Sequence, residues 1–339
     1  MKRTTIGIDL AKNVMHAVAL DGSGKELWRK RYARRKLLPA LAQVAGCEVA
    51  LECGSGAHYW AREIGQLGHP VKLLAPQHVV AYRSGNKHDF NDARAIAEAA
   101  SRAEVRTVPV KTVAQQQVQA LHRIRSGFLH ERTARINQWR GLLAEYGVVL
   151  PTGARAFMKQ AAQALDTLAE ELSVELRRWL QSQLEWLRAI DGRMAELDQV
   201  LKRQAHSDAR AALLLRELPG VGVLTATALS AAIGDAAQFR RARDCAAWMG
   251  VVPKQHSTGG KTQLLGISKR GDTYLRTLLI HGGRSVVRQA ARKSDPFSQW
   301  VNRLKARRGA NIAAVAVANK NARMAWALLR KQAAGLLPG

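Results

Sequence analysis

Thr4-Thr5-Ile6-Gly7-Ile8-Asp9 is a short apolar run that stops on a carboxylate. Its length and β-branched content read as a buried strand with the acid at its end. The same design recurs at Val49-Ala50-Leu51-Glu52. Between the two, Asp21-Gly22-Ser23-Gly24 is a turn signal that separates Val14–Leu20 from Glu26–Tyr32, two further strand candidates. A helix is expected near Lys36–Val44 and a fourth strand over Cys47–Glu52. Gly54-Ser55-Gly56 opens a helix from Ala57 to Leu67, and Val71–Leu74 is a fifth strand between Pro70 and Pro76. The order βββαβαβα matches the RNase H-like fold, in which strand-end acids hold two magnesium ions. An actin-like or sugar-kinase fold also begins with a Gly-Ile-Asp strand. It needs phosphate-binding glycine loops in a second lobe, and the sequence offers none.

Two more acids follow in Lys87-His88-Asp89-Phe90-Asn91-Asp92-Ala93-Arg94, at the start of a helical pattern. Asp89 and Asp92 are one helical turn apart and are expected on one face. Each acid alone reads as a solvated surface charge. Two strand-end acids plus an i, i+3 pair make a donor set for hard divalent cations, which take oxygen ligands. Two such ions can stabilise both the attacking and the leaving oxygen of a phosphodiester.

The charge of the chain points to what such a centre would act on. Lys plus Arg number 53 against 26 Asp plus Glu, a net charge of +27 on 339 residues. An excess of this size marks a polyanionic partner, because each neutralised phosphate releases condensed counterions. The hydrophobic fraction of 47% is enough for a sizeable core in two or three domains. Cys47, Cys53 and Cys245 are an odd set without CxxC spacing, which argues against a disulfide framework or a zinc site. Lys2 and Arg3 lead into a strand pattern rather than a signal-peptide core, and no run reaches the ~18 apolar residues of a membrane span. A cytoplasmic protein without a membrane partner is expected.

From Val113 to about Gln204 the pattern is helical. Leu180, Leu184, Leu187, Met194, Leu197 and Leu201 keep a 3/4 spacing with Ile190 in the gap, a coiled-coil-like seam. Leu165, Leu168, Leu172 and Leu176 begin a similar stripe, and Pro151-Thr152-Gly153 separates this helix from an earlier one containing Leu121, Ile124, Phe128, Ile136 and Trp139. An antiparallel helical hairpin is the simplest architecture. Arg123, Arg125, Arg132, Arg135 and Arg140 on its first arm suit either phosphate contacts or a solvated face. Three parts result: 1–112, 113–209 and 210–339.

In the last part, Leu218-Pro219-Gly220-Val221-Gly222 interrupts two helical patterns as the turn of a helix-hairpin-helix element would, with Gly220 and Gly222 able to offer backbone N–H groups to a phosphate. Pro253-Lys254-Gln255-His256-Ser257-Thr258-Gly259-Gly260-Lys261 reads as a flexible loop carrying two hydroxyls. Gly266-Ile267-Ser268-Lys269-Arg270-Gly271-Asp272 and an amphipathic helix through Tyr274, Leu275, Leu278 and Leu279 follow. From Ala246 onward, 17 Lys plus Arg face two acids, Asp272 and Asp295. A serine among fixed cations is where a phosphoseryl intermediate would be stabilised. His256 and His281 are candidate proton carriers, although a structural role suits either histidine better.

Taken in order, these motifs resemble the one-ten family of insertion-sequence transposases, in its subgroup with His-Ser-Thr-Gly-Gly and Ile-Ser-Lys-Arg-Gly-Asp. The resemblance covers essentially the whole chain. It rests on Gly7-Ile8-Asp9, on Glu52 with Gly54-Ser55-Gly56, on the 87–93 motif, on Leu218–Gly222 and on Pro253–Gly271 with Tyr274-Leu275-Arg276. It implies a RuvC-like N-terminal domain with an acidic tetrad, a coiled-coil insertion and a C-terminal transposase domain. It also implies a bacterial, nucleoid-associated DNA recombinase directed by a structured bridge RNA, with dimers or tetramers joining donor and target DNA. The tetrad falls on Asp9, Glu52, Asp89 and Asp92, binding Mg2+, with Mn2+ as substitute. The nucleophile falls on Ser257; Thr258 is the alternative register, and Ser268 a weaker one. Lys254, Lys261, Lys269, Arg270 and Arg276 become candidate nucleic-acid contacts. Two other readings stay open: a RuvC-type junction nuclease that activates water without a covalent intermediate, and a non-catalytic nucleic-acid-binding scaffold.

Overall fold

The structure, a computed structural model, describes residues 4–44, 46–86 and 88–337. Lys87 of the acid-bearing motif, and Lys2 and Arg3, lie outside the described residues. The chain divides into two compact units, Met1–Thr112 and Val113–Gly339.

In the first unit β1 (Thr5–Asp9), β2 (Val14–Leu20) and β3 (Glu26–Ala33) form an antiparallel meander. α1 (Leu37–Leu41) leads to β4 (Glu48–Glu52), parallel to β1, and α2 (Ala57–Gln66) leads to β5 (Val71–Leu74), parallel to β4. α3 (Pro76–Val79) and α4 (Asp89–Ser101) follow. A sixth strand, β6 (Thr107–Val108), pairs antiparallel with β5, giving the mixed-sheet order β3-β2-β1-β4-β5-β6. The sequence gives no sign of β6, because two residues carry no periodicity.

Period-two alternation sorts this sheet into two faces. Ile6, Ile8, Met15, Ala17, Val49, Leu51 and Leu73 pack with Leu37, Leu41, Trp60 and Ile64 of α1 and α2. The other face meets α4: Val18 and Leu20 pack on Ala93 and Ala97, and Ala50 and Leu74 on Ala95, Ile96 and Ala99. The small side chains of α4 allow it to lie close to the sheet. Gly7 sits on this face, where an added Cβ would overlap the Ala93 carbonyl oxygen and the Ala97 backbone nitrogen. Gly7 is therefore the contact that lets the helix bearing Asp89 and Asp92 come down onto the strand bearing Asp9. Gly7→Ala is expected to destabilise the protein by about 1–3 kcal/mol, toward the upper end because the obstacle is backbone. A urea midpoint equal to that of the parent protein would show that α4 can move aside at no cost.

The second unit begins with α5 (Val113–Ala144), α6 (Ala154–Thr167) and α7 (Val174–Ser207). Ion pairs Arg125–Asp198 (2.5 Å) and Arg132–Asp191 (2.6 Å) set α5 antiparallel to α7. The leucine stripe is not one continuous helix. It breaks between α6 and α7, where the Ser173 hydroxyl caps α7 by accepting from the Leu176 N–H (3.2 Å). Leu165, Leu168, Leu172, Leu180, Leu184 and Leu187 close on Ile136, Trp139, Leu143 and Phe157 in one core, so this seam is satisfied within the chain. The first-arm arginines are also largely engaged internally. Besides Arg125 and Arg132, Arg135 pairs with Glu131 (3.1 Å) and Arg140 donates to the Pro151 carbonyl, while Arg123 is exposed.

Then come α8 (Ala209–Glu217), α9 (Val223–Ile233), α10 (Ala242–Trp248), the hairpin of β7 (Pro253–Thr258) and β8 (Lys261–Ile267), α11 (Thr273–Gln289), α12 (Pro296–Arg308) and α13 (Ala310–Ala333). Leu214, Leu229, Phe239, Met249, Leu275, Leu279 and Leu329 share their core. The α8–α9 turn packs on α11, and a Cβ on Gly220 would sit 2.5 Å from the Gly282 carbonyl oxygen. Close packing is thus sufficient reason for a glycine there. Among the described residues no helix is long and apolar enough to cross a membrane.

Candidate active site

The sheet register brings the first two acids together. Ile8 pairs with Leu51 across parallel β1 and β4, so Asp9 and Glu52 end adjacent strands at the same edge. They share the face that α4 covers. Asp89 and Asp92 occupy the first turn of α4, where the helix dipole favours negative charge, and His88 caps the helix by accepting from the Phe90 N–H (3.2 Å). The i, i+3 spacing does not give them the same surroundings. The Asp89 side chain is 62% exposed, whereas that of Asp92 is 13% exposed with its Oδ1 2.5 Å from Arg83 Nε.

One member of the cluster was not anticipated. His16 on β2 is the cross-strand partner of Asp9, so the two side chains share a face. Its Nδ1 is 3.4 Å from Asp89 Oδ2. Asp9, His16 and Asp89 can each offer a ligand atom with all three atoms within 4.8 Å of one another. Glu52 and Asp92 are outside this set, Asp92 being held by Arg83. The signal for His16 in the sequence was its register opposite Asp9, which depends on the length of the β1–β2 turn.

The electrostatics of the cluster are those of an under-neutralised acidic site. Burial raises the Asp9 carboxyl above the usual aspartate range, the charges of Asp92 and Asp89 raise it further, and His16 and Arg83 oppose them. Glu52 is raised by burial and then by Asp9 and Asp92, against Arg83. His16 Nδ1, Arg83 Nε and Asp92 Oδ1 are buried and make no hydrogen bond, so the Arg83–Asp92 contact is an ion pair without hydrogen-bond alignment. Excess negative charge with unsatisfied ligand atoms is what a divalent cation relieves, and these residues fit one.

In the second unit the Ser257 stretch is a strand, not a flexible loop. Ser257 pairs with Thr262 and Thr258 with Lys261 around the two-residue Gly259–Gly260 turn, the tightest hairpin connection. Both hydroxyl residues are exposed. Ser257 Oγ accepts from Gln255 Nε2 (2.8 Å) and approaches Thr262 Oγ1 at 3.4 Å. Alternation turns His256 and Thr258 to the opposite face of β7. Ser268, at the hairpin's base, is half-buried with its hydroxyl 3.5 Å from the Arg270 N–H, and His281 is exposed on α11.

Lys254, Lys261, Lys269 and Arg270 are exposed around this hairpin. Arg276 corrects the sequence expectation. It is 8% exposed, and its guanidinium bonds the Arg270 carbonyl (3.2 Å) and Thr273 Oγ1 (3.0 Å), so it braces the hairpin's base instead of meeting phosphate. A cavity of about 1120 Å³ beside the hairpin is lined by Leu264, Trp300, Arg308, Lys320 and Arg323 among others, with no acid. Lys320 Nζ lies 4.6 Å from the Trp300 ring centre. These cations follow no motif, and they come together where β8, α12 and α13 line one cavity.

Comparison with known proteins identifies the family. Residues 6–148 match the DEDD transposase family of IS110 type, and residues 212–299 match the transposase IS116/IS110/IS902 family. A probable family 20 transposase of Pseudomonas aeruginosa is 46% identical over 98% of both chains. The transposase for insertion sequence element IS1111A of Coxiella burnetii is 44% identical over 96% of this chain and 90% of its own. The transposase for IS1328 of Yersinia enterocolitica is 41% identical over 95% and 96%. A DEDD transposase domain implies a divalent metal, for which the acid cluster is a possible site. The chain belongs to the IS110/IS116 family and is a DNA transposase.

Proposed function

We propose that this transposase is an RNA-guided DNA recombinase whose RuvC-like, RNase H-fold first unit and serine hairpin act together on one phosphodiester. The observation that carries the reading is a pair of complementary parts. The first unit holds an acid cluster short of positive charge, and the second presents an exposed serine among cations with no acid in the adjoining cavity. Ser257 Oγ attacks phosphorus and the P–O3′ bond breaks, leaving a 5′-phosphoserine linkage and a 3′-hydroxyl. Attack by a 3′-hydroxyl of the exchanged strand then re-forms the phosphodiester through a Holliday-like junction and frees Ser257. Each bond made replaces one broken, so no external energy source is required.

Ser257 has Gln255 and Thr262 as hydrogen-bond neighbours, and neither is a base. The proton acceptor therefore comes from outside the hairpin. Asp9, Glu52, Asp89 and Asp92 would hold Mg2+, or Mn2+ in its place, which supplies charge neutralisation at the phosphoryl oxygens. Family resemblance implies acids and serine drawn from different subunits of a dimer or tetramer. Lys254, Lys261, Lys269, Arg270 and the Gly222 end of α9 contact phosphates, and sequence is read by the RNA's base pairing with donor and target DNA.

The test is to purify the protein with its RNA and supply donor and target duplexes. Strand exchange should require that RNA, vanish after ribonuclease treatment and return when the RNA is added back. Full recombination by RNA-free protein would reject guidance.

A further inference from the structure

The geometry points to His16 as a metal ligand through Nδ1, which makes the Asp9–His16–Asp89 position a mixed nitrogen–oxygen site. It rests on the metal-centre reading above and adds to it a residue outside the acidic tetrad. Three observations converge. Strand register fixes His16 opposite Asp9 on the face covered by α4. Nδ1 is buried and makes no hydrogen bond, although Asp89 Oδ2 is only 3.4 Å away. The ring is also held edge-on against Phe90, with centroids 4.8 Å apart and planes at 84°. Phe90 itself packs against the Val18, Leu20, Ala93 and Ala97 cluster and is next to Asp89 in the chain. A ring whose buried nitrogen makes no hydrogen bond, lies 3.4 Å from one carboxylate and belongs to a set of three ligand groups within 4.8 Å, with its orientation set by packing, is placed to ligate a cation.

The chemistry makes a distinct demand. Mg2+ strongly prefers oxygen donors, whereas an imidazole nitrogen suits later first-row divalent ions, and Mn2+ lies between these groups. The site should therefore favour Mn2+ over Mg2+ more than a cage of carboxylates would.

Mn2+ bound to the full-length protein is examined by pulsed electron paramagnetic resonance, with Mn2+ and Mg2+ affinities measured in parallel. The parent protein is expected to show a directly bound 14N coupling. His16→Gln should lose that coupling and weaken Mn2+ by about tenfold or more, since even outer-shell changes cost 10–100-fold. His16→Asp should still bind metal, show no 14N coupling and shift preference toward Mg2+. A 14N coupling that persists in His16→Gln, or is missing from Mn2+-loaded parent protein, overturns the assignment while leaving the metal centre standing. A parent protein that binds no Mn2+ overturns the metal centre and His16 with it. If His16 only pairs with Asp89, His16→Asp shows no change in metal preference, and the proposal fails on that arm too.

Discussion

Ser257→Ala is expected to abolish the covalent protein–DNA adduct and to lower strand exchange by about 10⁴-fold or more, as removal of a nucleophile does. The fold should not change measurably, because Ser257 is exposed and surface substitutions of this kind stay within about 0.5 kcal/mol. The adduct is read by denaturing gel with end-labelled DNA, where a trapped complex migrates with the protein. Thr258→Ala is the matched control. Thr258 is one residue away and faces the other side of β7, so its loss should leave the adduct intact. If the two results are exchanged, the nucleophile is Thr258. If Ser257→Ala still cleaves DNA at the parent rate, the acids act on water and the enzyme is a junction nuclease at this step.

That control exists only because the hairpin is a strand. In sequence, Ser257-Thr258-Gly259-Gly260 has turn composition, and two hydroxyls beside two glycines look interchangeable. Cross-strand register makes them distinguishable by experiment, because Ser257 opposes Thr262 and Thr258 opposes Lys261, which puts the two hydroxyls on opposite faces. The acids were easier to see. Asp9 and Glu52 each end a short apolar run, whose length and β-branched content place both strands, and Asp89 and Asp92 stand in the first turn of a helical pattern. What patterning does not give is depth of contact. The approach of α4 to β1 depends on a missing side chain at Gly7, and a missing side chain leaves no periodicity. His16 was illegible for a related reason, since a histidine in a strand has a partner only once the register is known. The break between α6 and α7 went unseen because Leu165–Leu176 keeps helical spacing through a capped turn at Ser173. Arg276 resembled its exposed basic neighbours, and only burial separates a brace from a phosphate contact.

Asp9→Asn is expected to push stability and catalysis in opposite directions. Strand exchange should fall by about 10³-fold or more, the loss of roughly 4 kcal/mol of charge stabilisation in the transition state. The metal-free protein should at the same time become more stable, because asparagine removes a charge crowded by other acids. The sign follows from the direction of the shift. Burial, Asp92 and Asp89 raise the Asp9 carboxyl, so the folded state binds its proton more tightly than the unfolded state does. Any stability linked to that proton is complete below the unfolded-state value and disappears as pH climbs through the raised folded-state value. Above that window Asp9 is ionised beside other carboxylates at a cost, and asparagine keeps the shape without the charge. Mg2+ should reverse the ranking. At a free concentration a hundred times its Kd, a bound ion adds about 2.7 kcal/mol to the parent protein. The variant, with a ligand missing, should gain far less. Thermal unfolding at neutral pH with chelator and then with excess Mg2+ measures both halves. If Asp9→Asn is the less stable protein in chelator, the attraction of His16 and Arg83 for Asp9 outweighs the crowding of the acids. If Mg2+ raises both melting temperatures equally, Asp9 does not hold the ion. A crossing of the two stabilities on metal addition would tie the acid crowding of the metal-free protein to the cation it is built to receive.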